Sequence, residues 1–152
     1  MEKIEDLFNI PPESWLLTLP TYQQRTIRKL YEETGDYEDV AKAWLFSKMS
    51  TTAPFGTEKE KSIFYEKILD EIESFLVGNE KYKGNRLEIL KETGAVQNYA
   101  VGVISAALSP YLDAAAVFLA PVIVITLFTV TKIGIHAWLS AREEKRNTNV
   151  NT

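Results

Sequence analysis

The chain is 152 residues long, without cysteine and with a single histidine, and carries 17 Lys and Arg against 21 Asp and Glu for a net charge of −4. Lack of cysteine excludes disulfides, thiolate catalysis and Cys-based zinc or iron-sulfur sites, and one histidine excludes any two-histidine metal site within one chain. The length allows one modest domain plus a membrane segment, and the absence of a basic patch leaves no electrostatic footprint for direct nucleic acid binding.

Residues 1–93 hold 13 basic against 18 acidic residues, a net of −5, and read as a soluble, acidic, all-helical domain. The N-terminus, Met1 to Asp6, is acidic and lacks an apolar run, so it is not expected to be a secretory signal. Asn9-Ile10-Pro11-Pro12 closes a first short segment, because a proline biases its preceding residue out of the helical region. A single turn over 12–17 then carries Trp15. Thr21 is expected to cap a helix reaching Thr34, with Tyr22, Ile27, Leu30 and Tyr31 on its apolar side and Gly35 as its stop. Asp36 caps the next helix, in which Tyr37, Val40, Ala41, Trp44 and Leu45 recur at the spacing of a buried stripe up to about Met49.

Thr57 followed by Glu60 forms a capping box that opens the best helix of the chain, over 58–77. Tyr65, Ile68, Leu69, Ile72, Phe75 and Leu76 share its inner side, while Lys59, Lys61, Lys67, Asp70 and Glu73 are expected to face water. Carboxylate pairs such as Glu32-Glu33, Glu38-Asp39 and Asp70-Glu71 read as solvated helix faces rather than acid/base pairs. Gly78-Asn79 ends this helix, and a basic connector, Lys81 to Arg86, leads to a short helix through Leu87, Leu90 and Lys91. Helical spacing of Trp15, Tyr22, Tyr31, Tyr37, Trp44, Phe64 and Tyr65 favours core packing over a stacking box.

From Gly94 to Thr131 the composition changes: 38 residues carry no Lys or Arg and one acid, Asp113. Residues 94–141 are therefore expected to form a hydrophobic, transmembrane helical hairpin divided at Ser109-Pro110, with 142–152 a polar tail. Asp113 is expected to cap a second helix running from Ala114 to Trp138 and Leu139. Its uncharged stretch, 114–131, spans about 27 Å, near the ~30 Å of a hydrocarbon core. Tyr111 and Trp138 would lie about 40 Å apart on it, as interface anchors in the two headgroup belts. Residues 95–108 make a weaker candidate of about 21 Å that contains Gln97 and Asn98 and is expected to be a short second span, a re-entrant segment or an interfacial helix. Gly102, Ser105 and Ala106 give it a small-residue face suited to helix contact or to ordinary Ala-rich packing.

Basic residues flank the hairpin on both outer sides, Lys81, Lys83, Arg86 and Lys91 before it and Arg142, Lys145 and Arg146 after it. None lies in the turn, which would place both termini in the cytoplasm of an inner-membrane protein. A polar stripe, Thr126, Thr129, Lys132, His136, Ser140 and Glu143, follows helical spacing and could line a wet path in an oligomer, although Lys132 could equally snorkel at the membrane boundary. Pro121 is expected to kink the span.

As an arrangement, a soluble helical domain joined to a hydrophobic hairpin over 94–139 resembles, in outline, pore-forming colicins and small membrane effectors of bacterial antiphage and toxin systems. That resemblance rests on no motif and assigns no functional residue. With no phosphate loop or nucleophile elbow, no enzymatic activity and no cofactor are expected. The expected function is an oligomerising, membrane-permeabilising effector whose partners are the lipid bilayer, further copies of itself and a protein trigger engaging residues 1–93. The alternatives are a membrane-anchored adaptor and a soluble helical interaction protein with a buried hairpin.

Overall fold

A computed structural model describes residues 3–49, 58–94 and 96–150. Every regular element among the described residues is helical, and none is a strand. After a 3-10 turn at Ile4–Phe8 come α1 (Glu13–Leu16), α2 (Thr21–Thr34), α3 (Tyr37–Met49) and α4 (Glu58–Val77). A second 3-10 turn at Glu80–Tyr82 leads to α5 (Lys83–Lys91), α6 (Val96–Leu112), α7 (Ala116–Ile133) and α8 (Ile135–Val150).

Local signals position the first half. Asp36 Oδ1 accepts the Glu38 N–H at 2.7 Å and opens α3, whose Val40, Ala41, Trp44 and Leu45 are buried as their spacing requires. Helix α4 has the expected bounds and inner face; the Thr57 half of its capping box lies outside the described residues. Two expectations on α2 do not hold, for Tyr22 and Tyr31 are exposed while Ile27 and Gln23 are buried. On α5 the buried residue is Ile89, and Leu87 faces water.

The apolar segment differs most from expectation at its breaks. Helix α6 continues through Pro110, because Pro110 and Ala106, whose carbonyl loses its partner, both lie on the water side. The reversal comes instead at Asp113, which adopts a left-handed conformation with φ 52°. The Ala114 N–H reaches back to the Ser109 carbonyl at 3.4 Å, so Asp113 terminates α6 in a Schellman-type cap rather than capping α7. Helix α7 is interrupted earlier than expected, at Gly134, whose φ of 97° and ψ of 141° suit glycine almost alone. Tyr111 and Trp138 therefore do not lie on one continuous helix.

Helix α7 is the axis of the molecule. From Pro121 to Phe128 every residue is buried, which happens only to a helix covered on all sides. Its cover comes from α1, α3, α4, α6 and the first 3-10 turn, with α6 running beside it after the reversal. Residues from both sides of position 93 enter one contiguous core, including Trp15, Trp44 and Phe75 with Ile104, Ile123 and Leu127.

Candidate functional site

The feature of this chain that calls for a function is α7 together with what holds it in place. Ala116–Ile133 is the one described helix long and apolar enough to cross a membrane. Helix α6 is not such a helix, so the two-span hairpin reduces to an antiparallel helix pair containing one candidate span.

Two tryptophans fasten α7 near its ends. Trp15 is fully buried and its indole Nε1 donates to Thr131 Oγ1 at 2.7 Å; that hydroxyl in turn donates to the Leu127 carbonyl at 2.8 Å. At the other end Trp44 Nε1 donates to the Phe118 carbonyl at 3.0 Å. A buried indole N–H without an acceptor is costly, so both bonds fix the register of α1 and α3 on α7. Tyr37 adds an aromatic contact to Phe128, with ring centroids 4.7 Å apart, and stacks on Tyr31 at 4.3 Å.

A charged clasp joins α8 to α4. The Arg142 guanidinium is buried, and its Nε reaches Glu73 at 3.1 Å, one Nη reaches Glu66 at 3.0 Å, and the other meets Asp70. Lys145 pairs with Glu66 at 2.8 Å and Arg146 with Glu73 at 2.7 Å. The three carboxylates lie four and three residues apart, one face of α4. Burial alone would raise the Glu66 and Glu73 carboxyls, but hydrogen bonds from Lys145, Arg146 and Arg142 outweigh it and hold both below the ordinary range. Asp70 moves the other way, raised by burial and by the neighbouring Glu66 and Glu73, against the pull of Arg142. Asp70 faces water as expected while also meeting Arg142, whereas the same expectation for Glu73 is corrected, since its side chain is largely covered in its ion pair with Arg142.

A cavity of about 340 Å³ lies beside this clasp, between α8 and the α3, α4 and α7 surfaces, lined in part by Asp36, Tyr65, Thr129, Trp138, Arg142 and Lys145. Among the described residues, no cluster of acids and histidine is arranged to hold a metal ion.

The polar stripe is divided by the Gly134 break. Thr126 is buried and Thr129 half-buried, and their hydroxyls donate to the Val122 and Ile125 carbonyls of their own helix. Lys132 folds over the Phe128 ring at 5.5 Å and is exposed, as are His136, Ser140 and Glu143. The small-residue face is divided too, with Gly102 and Ala106 exposed and Ser105 buried, its hydroxyl without a partner. Of the expected interface anchors, Trp138 is buried against the core, whereas Tyr111 is exposed and packs edge-on against Tyr82 at 5.4 Å.

The basic connector has internal duties. Lys81 pairs with Glu71 at 2.7 Å and lies 4.1 Å from the Tyr111 ring centroid, and Tyr82 donates to Glu71 at 2.5 Å. Arg86 donates to the Phe75 and Leu76 carbonyls at 2.5 and 2.9 Å, closing the C-terminus of α4.

No family model, curated protein or solved structure matches the chain.

Proposed function

We propose that the chain is a membrane-acting effector that stores a bilayer-length helix inside a helical sheath. On a trigger received through residues 1–93, the α6–α7 pair passes into the inner membrane, both termini remain cytoplasmic, and further copies assemble to permeabilise the bilayer. The observation that carries this reading is the character of α7, eighteen residues without an acid and with Lys132 alone charged, next to its C-terminal end. A surface helix needs one apolar stripe, whereas a helix enclosed on all sides, by protein or by a bilayer, is apolar all round. Sheathing explains how such a helix can be kept from water beforehand.

The test is leakage of a trapped dye from vesicles and resistance of the bound protein to alkaline extraction, with the full chain. Leakage together with extraction resistance supports the effector. Extraction-resistant binding without leakage turns the reading into the membrane-anchored adaptor.

A second reading is a soluble helical interaction protein. It is favoured by the indole bonds of Trp15 and Trp44, which tie α7 to α1 and α3 through polar contacts that hydrocarbon cannot replace. A monomer that neither binds nor disturbs vesicles in any state would establish it. No nucleic acid partner is proposed under either reading.

A further inference from the structure

Helix α8 has two unlike long faces. Ile135, Trp138, Leu139, Arg142 and Arg146 follow one another at spacings of three, one, three and four residues, with Lys145 beside them, so an apolar half-stripe continues into a basic one. This face lies against the body, where Trp138 and Arg142 are buried and Ile135 and Leu139 half-buried. The opposite face, with His136, Ser140, Glu143, Glu144 and Asn147, is in water. Clustered basic residues beside a short aromatic-apolar stripe attract an anionic membrane surface mainly through their charge.

In the closed molecule that face is occupied by the Glu66, Asp70 and Glu73 carboxylates. They present three negative charges along one side of α4, equal in number and opposite in sign to Arg142, Lys145 and Arg146, as a row of anionic headgroups would be. Burying Arg142 among carboxylates costs desolvation that the ion pairs mainly offset, so the cluster adds little net stability compared with apolar packing and is better suited to specifying one arrangement. Helix α8 joins α7 through Gly134 alone, a Cβ at Gly134 would meet nothing within 4 Å, and the 340 Å³ cavity separates part of α8 from the α3, α4 and α7 surfaces.

We propose that the inner face of α8 is a masked binding surface for anionic lipid, held shut by α4 carboxylates that stand in for headgroup anions. Binding exchanges Glu66, Asp70 and Glu73 for lipid phosphates and swings α8 about Gly134, exposing the Thr126–Thr129 side of α7. This deepens the membrane reading above by naming the lipid class and the contact that restrains it.

The experiment is co-flotation of the full chain with vesicles of phosphatidylcholine alone or mixed with phosphatidylglycerol. Glu66→Gln/Asp70→Asn/Glu73→Gln should bind the anionic vesicles roughly 100-fold more tightly than wild type, at about fivefold for each unmasked basic residue. It should gain nothing on phosphatidylcholine. Adding Arg142→Gln/Lys145→Gln/Arg146→Gln should abolish the gain. Because these variants could lose structure, a second protein carries Glu66→Cys/Asp70→Asn/Glu73→Gln/Lys145→Cys in this otherwise thiol-free chain. Bridging its cysteines with a short bis-maleimide should return binding to the wild-type level, while the unbridged protein binds. Equal binding of wild type and carboxylate variant, equal gain on both vesicle types, or indifference to the bridge would each overturn the proposal. Anionic binding without leakage would remove the permeabilising function and leave this surface standing.

Discussion

Replacing Thr131 by valine separates a sheathed α7 from one that resides in a bilayer. Valine keeps the shape of threonine but removes the oxygen that accepts the Trp15 indole N–H at 2.7 Å, in a residue with no exposed surface. The orphaned donor costs about 2 kcal/mol, and the added methyl returns about 0.5 kcal/mol through apolar burial, so Thr131→Val should lose about 1.5 kcal/mol. In a chain of this size that is a fall in Tm of roughly 3–6 °C, read by far-ultraviolet circular dichroism. Thr131→Ser, which keeps the acceptor, should lose less, and Trp15→Phe combined with Thr131→Val should recover about 1 kcal/mol of coupling. Were α7 a membrane span in the resting protein, the same valine would be neutral or favourable. An unchanged or raised Tm would therefore refute the indole bond as part of the sheath.

Three further outcomes follow from the clasp and the breaks. Glu73 is the most buried of the three acids, its side chain 15% exposed against 58% for Asp70, so Glu73→Gln should cost about 1.5 kcal/mol and Asp70→Asn less than about 0.5 kcal/mol in urea unfolding; the reverse order would refute the geometry. Because Glu66 and Glu73 are depressed from 4.5, their contribution is complete above that pH and is lost as pH falls through their lowered values. The raised Asp70 opposes them, and Arg142 and Arg146, both raised by their carboxylate partners, stay charged throughout. Stability should thus decline on acidification below pH 4.5, and Glu66→Gln/Glu73→Gln should flatten that decline in unfolding measured across pH. Gly134→Ala should cost about 1–3 kcal/mol by urea unfolding from backbone strain alone, since its new methyl meets no neighbour; no loss would show that the corner relaxes freely.

What could be read from the sequence was what short-range chemistry decides. The Asp36 cap, the Val40–Leu45 stripe and the bounds of α4 each depend on residues within a turn or two. The breaks were harder because one residue type serves two roles. Aspartate suits a helix N-cap and tolerates the left-handed conformation, and Asp113 takes the second. Proline ends helices unless its lost bond falls toward water, as it does at Pro110. Gly134, just after the basic Lys132, carried a stop signal that the uncharged run around it obscured. The clasp was not legible because Arg142 and its acids are 69 to 76 residues apart, and acids along a helix face look alike whether solvated or paired. The spacing of 66, 70 and 73 against 142, 145 and 146 was the available clue.

Under the proposed function, the energetics of releasing α7 would lie mainly in its polar fittings. Moving Ile123, Val124 or Leu127 from a protein core to acyl chains exchanges one apolar environment for another and changes little in transfer free energy. The indoles of Trp15 and Trp44 and the charges of Arg142, Glu66 and Glu73 cannot be exchanged so cheaply, since each needs a new partner or water. A headgroup layer supplies both, acceptors for the indoles and anions for Arg142, Lys145 and Arg146, and the freed α4 carboxylates return to water. A neutral apolar phase supplies neither. The physical consequence is that a sheath of this construction should hold in water and against zwitterionic lipid, and should loosen where an anionic surface offers replacements for all of its polar contacts together.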